Sequence, residues 1–91
     1  MIKIIKSGDY LSMFDEINNQ ELYILILQKI KIFVNKPDDT RLRNHKLRKR
    51  MEGKFAFSIT GDVRIVYEWL GNNFVRFLAI GGHNKVYNRK V

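Results

Sequence analysis

The chain contains no cysteine. That excludes disulfides and thiolate metal ligands, and it favours a reducing compartment, so a cytoplasmic location is expected. Histidine is scarce as well, with only His45 and His83 in 91 residues. Two imidazoles without a thiolate cannot complete a Cys/His zinc site, and neither metal nor cofactor is expected. Long apolar runs are missing: the longest, Leu22 to Leu27, is far below the roughly 20 residues that cross a bilayer, so no membrane partner is expected. The opening Met1-Ile-Lys-Ile-Ile-Lys alternates and leads into polar Ser7-Gly8-Asp9, unlike a secretory leader. The single proline is Pro37, and no linker, repeat or low-complexity tract divides the chain. One domain spanning residues 1–91 is expected.

Acidic residues are also few, 9 against 17 Lys and Arg, giving a net charge of +8. On a chain this short, that excess points to a polyanionic partner. Its distribution sharpens the point. Residues Arg41 to Met51 include Arg41, Arg43, Lys46, Arg48, Lys49 and Arg50 with no acid among them. A block of this kind is an electrostatic footprint that fits RNA phosphates or an acidic protein tail.

The rest is a folding sequence, 45% hydrophobic, with local signals for each element. Residues 2–6 are β-branched and partly alternating, and predict a first strand. Ser7 or Asp9 can cap a following helix, whose apolar stripe is Tyr10, Met13, Phe14 and Ile17. A second helix is expected from about Gln20 to Lys36, ended by Pro37, although residues 22–27 read alone could also form a strand. Residues 37–40 make a turn into the basic segment, which Leu42 and Leu47 anchor, and Glu52-Gly53 turns into the next strand. From Lys54 onward, three apolar-rich strands alternate with the turns Thr60-Gly61-Asp62 and Gly71-Asn72-Asn73. The expected architecture is α+β: an N-terminal strand, two helices, then an antiparallel three-strand meander, in one sheet with the helices on one face. In the middle strand, Val63, Ile65, Tyr67 and Trp69 should face the core, and Arg64, Val66 and Glu68 the open side. The strand aromatics Phe55, Phe57, Tyr67, Trp69, Phe74 and Phe77 are expected mostly in the core.

Both histidines, with Asp62, Arg64 and Tyr87, lie near the polar ends of these strands. Together they suffice for RNA cleavage without a metal. Imidazole can move protons near neutral pH, a carboxylate can act as base or orienting group, and guanidinium matches phosphate oxygens with its fork of donors. Taken singly, each also has an ordinary structural explanation, such as Arg64 pairing with Glu68.

The pieces Asn44-His45-Lys46-Leu47, Asp62-Val-Arg-Ile-Val-Tyr67 and Ile80-Gly-Gly-His-Asn-Lys-Val-Tyr87 resemble, in order and spacing, the RelE/ParE toxin superfamily, and most of all its YafQ-type mRNA interferases. The resemblance covers the C-terminal half of the chain. It implies a RelE-like fold and a type II toxin that cleaves mRNA in the ribosomal A site without a metal, held inactive by a cognate antitoxin, with the free toxin a monomer. Carried over by position, His45, Asp62 and His83 match catalytic residues, Arg64 a phosphate-binding arginine, and Tyr87 a C-terminal aromatic. It implies His83 as general acid and Asp62 or His45 as base or orienting partner. Ser58 stands where this branch often has a further histidine, which removes a proton carrier there. The rival readings are a ParE-like gyrase inhibitor, which generally lacks the His and Asp set, and a non-catalytic RNA- or antitoxin-binding member.

Overall fold

The computed structural model describes residues 1–87. One sheet contains β1 (Lys3–Lys6), β2 (His45–Lys46), β3 (Phe55–Ser58), β4 (Arg64–Gly71) and β5 (Phe74–Gly81), in the spatial order β1-β5-β4-β3-β2. The helices are α1 (Gly8–Asp15), α2 (Gln20–Asn35) and α3 (His83–Tyr87).

The local signal acts as expected at α1, and α2 has a cap that the sequence reading did not assign. Ser7 caps α1 by accepting the Tyr10 N–H at 3.0 Å. Asn19 caps α2 by accepting the Leu22 N–H at 3.0 Å, and α2 stops two residues before Pro37, so residues 22–27 are helical. The architecture is α+β, but the sheet departs from the expected one in three ways. It is mixed, because β1 pairs in parallel with β5, Ile4 opposite Val75. It gains a two-residue edge strand, β2, inside the basic segment, with His45 opposite Ala56 and Lys46 opposite Phe55. The C-terminal segment, read as a tail, forms α3 against β4 and β5.

Cross-strand partners share a face of the sheet, so the register sorts the side chains. Phe57, Ile65 and Ile80 form one row, and Lys46, Phe55 and Tyr67 a second on the same face. Phe33 of α2 covers this face, stacked on Phe57 at 4.5 Å and edge-on to Tyr67 at 4.9 Å. Tyr10 of α1 meets Phe77 there at 5.4 Å. The expected helices therefore lie on one face.

Two expectations about β4 are corrected. Val66 is fully buried, although it alternates away from the helix-covered face; α3 contacts β4 and β5, and its buried Val86 joins the same core. Trp69 shares the face of Tyr67 but is 38% exposed. Between Val66 and Tyr67 the register slips by one residue, so Leu78 of β5 has no partner on β4. Such a bulge leaves ladder groups unpaired, and the Ser7 hydroxyl donates to the Leu78 carbonyl at 3.1 Å. The cap of α1 thus also closes the bulge.

Candidate active site

The turn before β4 and the end of β5 meet at one corner of the sheet. Arg64 opens β4 opposite Ser58 on one side and Gly81 on the other. Directly after Gly81, the chain turns into α3, so Asp62, Arg64, His83 and Tyr87 converge. Asp62 Oδ1 accepts the backbone N–H of His83 at 3.1 Å. The His83 ring stands edge-on to Tyr87, with centroids 4.6 Å apart. Arg64 lies over the other part of this arrangement, its guanidinium carbon 5.6 Å from the Tyr87 ring centroid and its Nη1 donating to the Tyr87 hydroxyl at 3.4 Å. Contacts from Arg64 Nε to the Asp62 carbonyl and from Nη2 to the Gly61 carbonyl, both 3.3 Å, hold the guanidinium over the turn. Asp62 and His83 are exposed, and Arg64 and Tyr87 are half-buried. The corner is therefore an open shelf on which a cation and an imidazole both contact one phenol ring.

Arg64 does not pair with Glu68. Glu68 takes Arg76 across the strands at 3.1 Å instead, which leaves the Arg64 fork to the Tyr87 corner.

His45 stands apart from this corner but on its side of the sheet. It is opposite Ala56, which lies two residues from Ser58, the partner of Arg64. Strand spacing and rise put the His45 and Arg64 backbones about 12 Å apart on that face. The His45 Nδ1 lies 2.9 Å from the Arg43 carbonyl. A carbonyl can only accept, so Nδ1 carries the proton in the neutral ring and Nε2 presents its lone pair outward.

Asn44 sets the edge strand in place. Its Oδ1 accepts the Tyr67 hydroxyl at 2.9 Å and its Nδ2 donates to the Pro37 carbonyl at 2.9 Å. Arg43 takes the left-handed conformation, φ 50°, just before it. Sequence reasoning grouped Asn44 with its motif but gave it no role; a polar residue between two basic ones carries no local signal of a contact 23 positions away.

The basic segment is divided. Arg41 is paired with Asp39 at 2.9 Å, and this guanidinium holds the Asp39 carboxyl well below the usual carboxylate range. Arg50 donates to the Tyr87 carbonyl at 2.7 Å and so braces α3. Arg43, Lys46, Arg48 and Lys49 are exposed, and among the described residues none of these four has an ion pair. No cluster of three potential metal ligands occurs among the described residues.

The overall fold is shared with solved toxin structures. YafQ from E. coli strain BL21(DE3) superposes with a TM-score of 0.76 at 16% identity, over 96% of this chain and 99% of that one. The fold is that of the RelE/YafQ-like toxins. A copper-bound mutant toxin from Helicobacter pylori gives a TM-score of 0.72 at 20% identity, over 94% of this chain and 99% of that one. A chain of the YoeB-YefM complex from Staphylococcus aureus gives 0.73 at 17% identity, over 91% of this chain and 98% of that one. No family model matches the sequence, and a search of curated proteins found no significant match. Within the RelE/YafQ-like fold, the corner built by Asp62, Arg64, His83 and Tyr87 joins the end of the sheet to α3. No helix among the described residues is long and apolar enough to cross a membrane.

Proposed function

We propose that this chain is the toxin of a type II toxin–antitoxin pair and that it cleaves mRNA on the ribosome as an endoribonuclease, by proton transfer rather than through a metal. The observation that carries the reading is the contact set at one corner: Arg64 and His83 on the same Tyr87 ring, with Asp62 bonded to the His83 backbone. The reaction is attack of a 2′-oxygen on the adjacent phosphorus with departure of the 5′-oxygen. It needs a base, an acid and a cation at the phosphate.

His83 is exposed at the corner and donates a proton to the departing 5′-oxygen. Arg64, pre-set by its turn carbonyls, stabilises the negative charge on the phosphate oxygens as the P–O bonds change. Tyr87 positions the nucleotide between them. Asp62 orients the start of α3, and His45, with Nε2 unprotonated and facing out, takes the 2′-proton from an RNA laid across β3. Lys46, Arg48 and Lys49, with Arg41, Arg43 and Arg50 beside them, supply sequence-independent affinity for ribosomal RNA or mRNA phosphates. A cognate antitoxin holds the toxin inactive. YoeB-YefM and DinJ-YafQ, solved as toxin–antitoxin complexes on this fold, support such a partner.

The test is brief induction of the chain in cells with mapping of mRNA 5′ ends, beside His83→Ala and Arg64→Ala. New ends inside translated codons, lost in both variants, are the expected result. Growth arrest with intact mRNA would overturn the nuclease reading in favour of another target such as gyrase. Neither arrest nor cleavage from folded protein would leave a binding member of the fold.

A further inference from the structure

A groove of about 650 Å³ lies where the helix-covered face continues past the end of α2, between the sheet and the 37–40 turn. That is within the range of small-ligand sites, about 300–1,000 Å³. Its floor is aromatic: Phe55 and Tyr67 are cross-strand partners, and Trp69 follows on the same face, edge-on to Tyr67 at 6.0 Å and 38% exposed. Lys46, in the same row as Phe55, and Arg43 border it, both exposed. Asp39 on the far wall is already neutralised by Arg41.

We propose that this groove is a second RNA subsite, which stacks one unpaired base on Trp69 and draws the adjoining phosphate to Lys46 and Arg43. Aromatic platforms beside cationic side chains are how proteins hold single-stranded RNA, with the base on the ring and the backbone on the charge. A half-exposed indole in a chain of net charge +8 has no internal use for its outer face. The acidic Asp38 on the same wall can accept from an exocyclic amine, which favours adenine over uracil. The aromatic floor of the subsite is on the opposite face of the sheet from Arg64, about 17 Å along β4 by strand rise, and its rim reaches His45 at the β2 edge, so it grips RNA that passes around that edge on its way to the scissile bond. It takes the class of its ligand from the RNA-cleaving reading, but its test does not depend on cleavage.

Trp69 is the only tryptophan, so tryptophan fluorescence reports on the end of β4 where this groove lies, and the Lys46→Ala variant ties the signal to the groove rather than to the neighbouring Gly71–Asn73 turn. The probe is an uncleavable 2′-O-methyl adenosine trinucleotide, with an abasic trinucleotide of equal charge as control. The expected result is saturable quenching by the adenosine probe and none by the abasic one. Lys46→Ala should weaken the binding severalfold, and Arg64→Ala, at the other corner, should leave the quenching unchanged. Trp69→Ala, followed by the anisotropy of a labelled probe, should cost about tenfold in affinity. Equal quenching by the abasic probe would reduce the groove to an anion site and overturn the proposal. So would the absence of quenching at millimolar probe, or quenching by an acidic, aromatic-bearing peptide alone, which would make the groove a protein-docking surface. Quenching without any mRNA cleavage in cells would leave the subsite standing and remove the nuclease reading; the reverse pattern would do the opposite.

Discussion

Asp62 fills the space that Gly82 leaves empty. A β-carbon on residue 82 would stand 2.7 Å from Asp62 Oδ2, and the other carboxylate oxygen accepts the His83 N–H. The second glycine of the Gly81-Gly82-His83 run is thus what allows the carboxylate to reach the start of α3. Its neighbour Gly81 is held differently, at φ 152°, a backbone conformation in which other residues are strained.

Gly82→Ala should therefore lower cleavage to about the level of Asp62→Ala while the fold survives, because the displaced atom is the tip of a flexible side chain. The two substitutions act on one contact, so the double variant should be no worse than either alone. Cleavage rates of the four proteins, with urea midpoints to confirm folding, check this. Full activity in Gly82→Ala would mean that the Asp62–His83 contact does not serve the reaction.

If His45 is the base and His83 the acid, each should govern one limb of the pH–rate profile. A base must be unprotonated, so His45→Ala should flatten the fall in rate toward acid pH. An acid must be protonated, so His83→Ala should flatten the fall toward alkaline pH, each with a loss of about 10²–10⁴-fold at the optimum. Single-turnover cleavage across pH 5–9 measures both. Loss of the acid limb in Asp62→Asn and not in His45→Ala would transfer the base to Asp62.

Phe33 is fully buried against Phe57, Tyr67 and Phe77. Phe33→Ala should cost about 3–5 kcal/mol of stability, from lost apolar burial and the cavity left between helix and sheet. Urea denaturation gives the figure; a cost below about 1 kcal/mol would mean that α2 collapses onto the sheet without this ring.

Burial pushes the hydroxyls of Tyr10 and Tyr67 up to about 12 from an ordinary 10.0, at Tyr67 against the opposing effects of Asn44 and Trp69. The folded state therefore keeps two phenol protons that the unfolded chain has released. Their contribution to stability is intact below pH 10 and is lost as pH rises from about 10 to about 12. Denaturant midpoints across that window should fall with pH, and less steeply in the Tyr10→Phe, Tyr67→Phe double variant. Equal slopes would show that neither hydroxyl resists ionisation in the fold.

Much of this organisation was legible in the sequence. The stripe and cap of α1, the length of α2 and the two hairpin turns rest on signals within a few residues of each other. The candidate residues were legible as chemistry, since an imidazole, a carboxylate and a guanidinium carry their reactivity wherever they stand. Their grouping was less so: Asp62, Arg64, His83 and Tyr87 meet, while His45 remains about 12 Å away on the same face. Trp69 was misread because alternation shows which face a side chain takes but not how far a helix extends over that face.

By itself, the sequence determined α1 and α2, the three strands that follow the basic segment, and a basic block free of acids. Those features depend on backbone propensity, capping and side-chain alternation, which act over a turn or a strand. Only the tertiary structure decided that β1 would lie parallel to β5, that two residues of the basic block would become an edge strand, and that α3 would cover Val66. It also decided that Arg64 would take Tyr87 rather than Glu68, and that Trp69 would be left half in solvent. Each of these depends on pairing or coverage between segments tens of residues apart, where many arrangements satisfy the same local pattern and the packing of the whole core selects one.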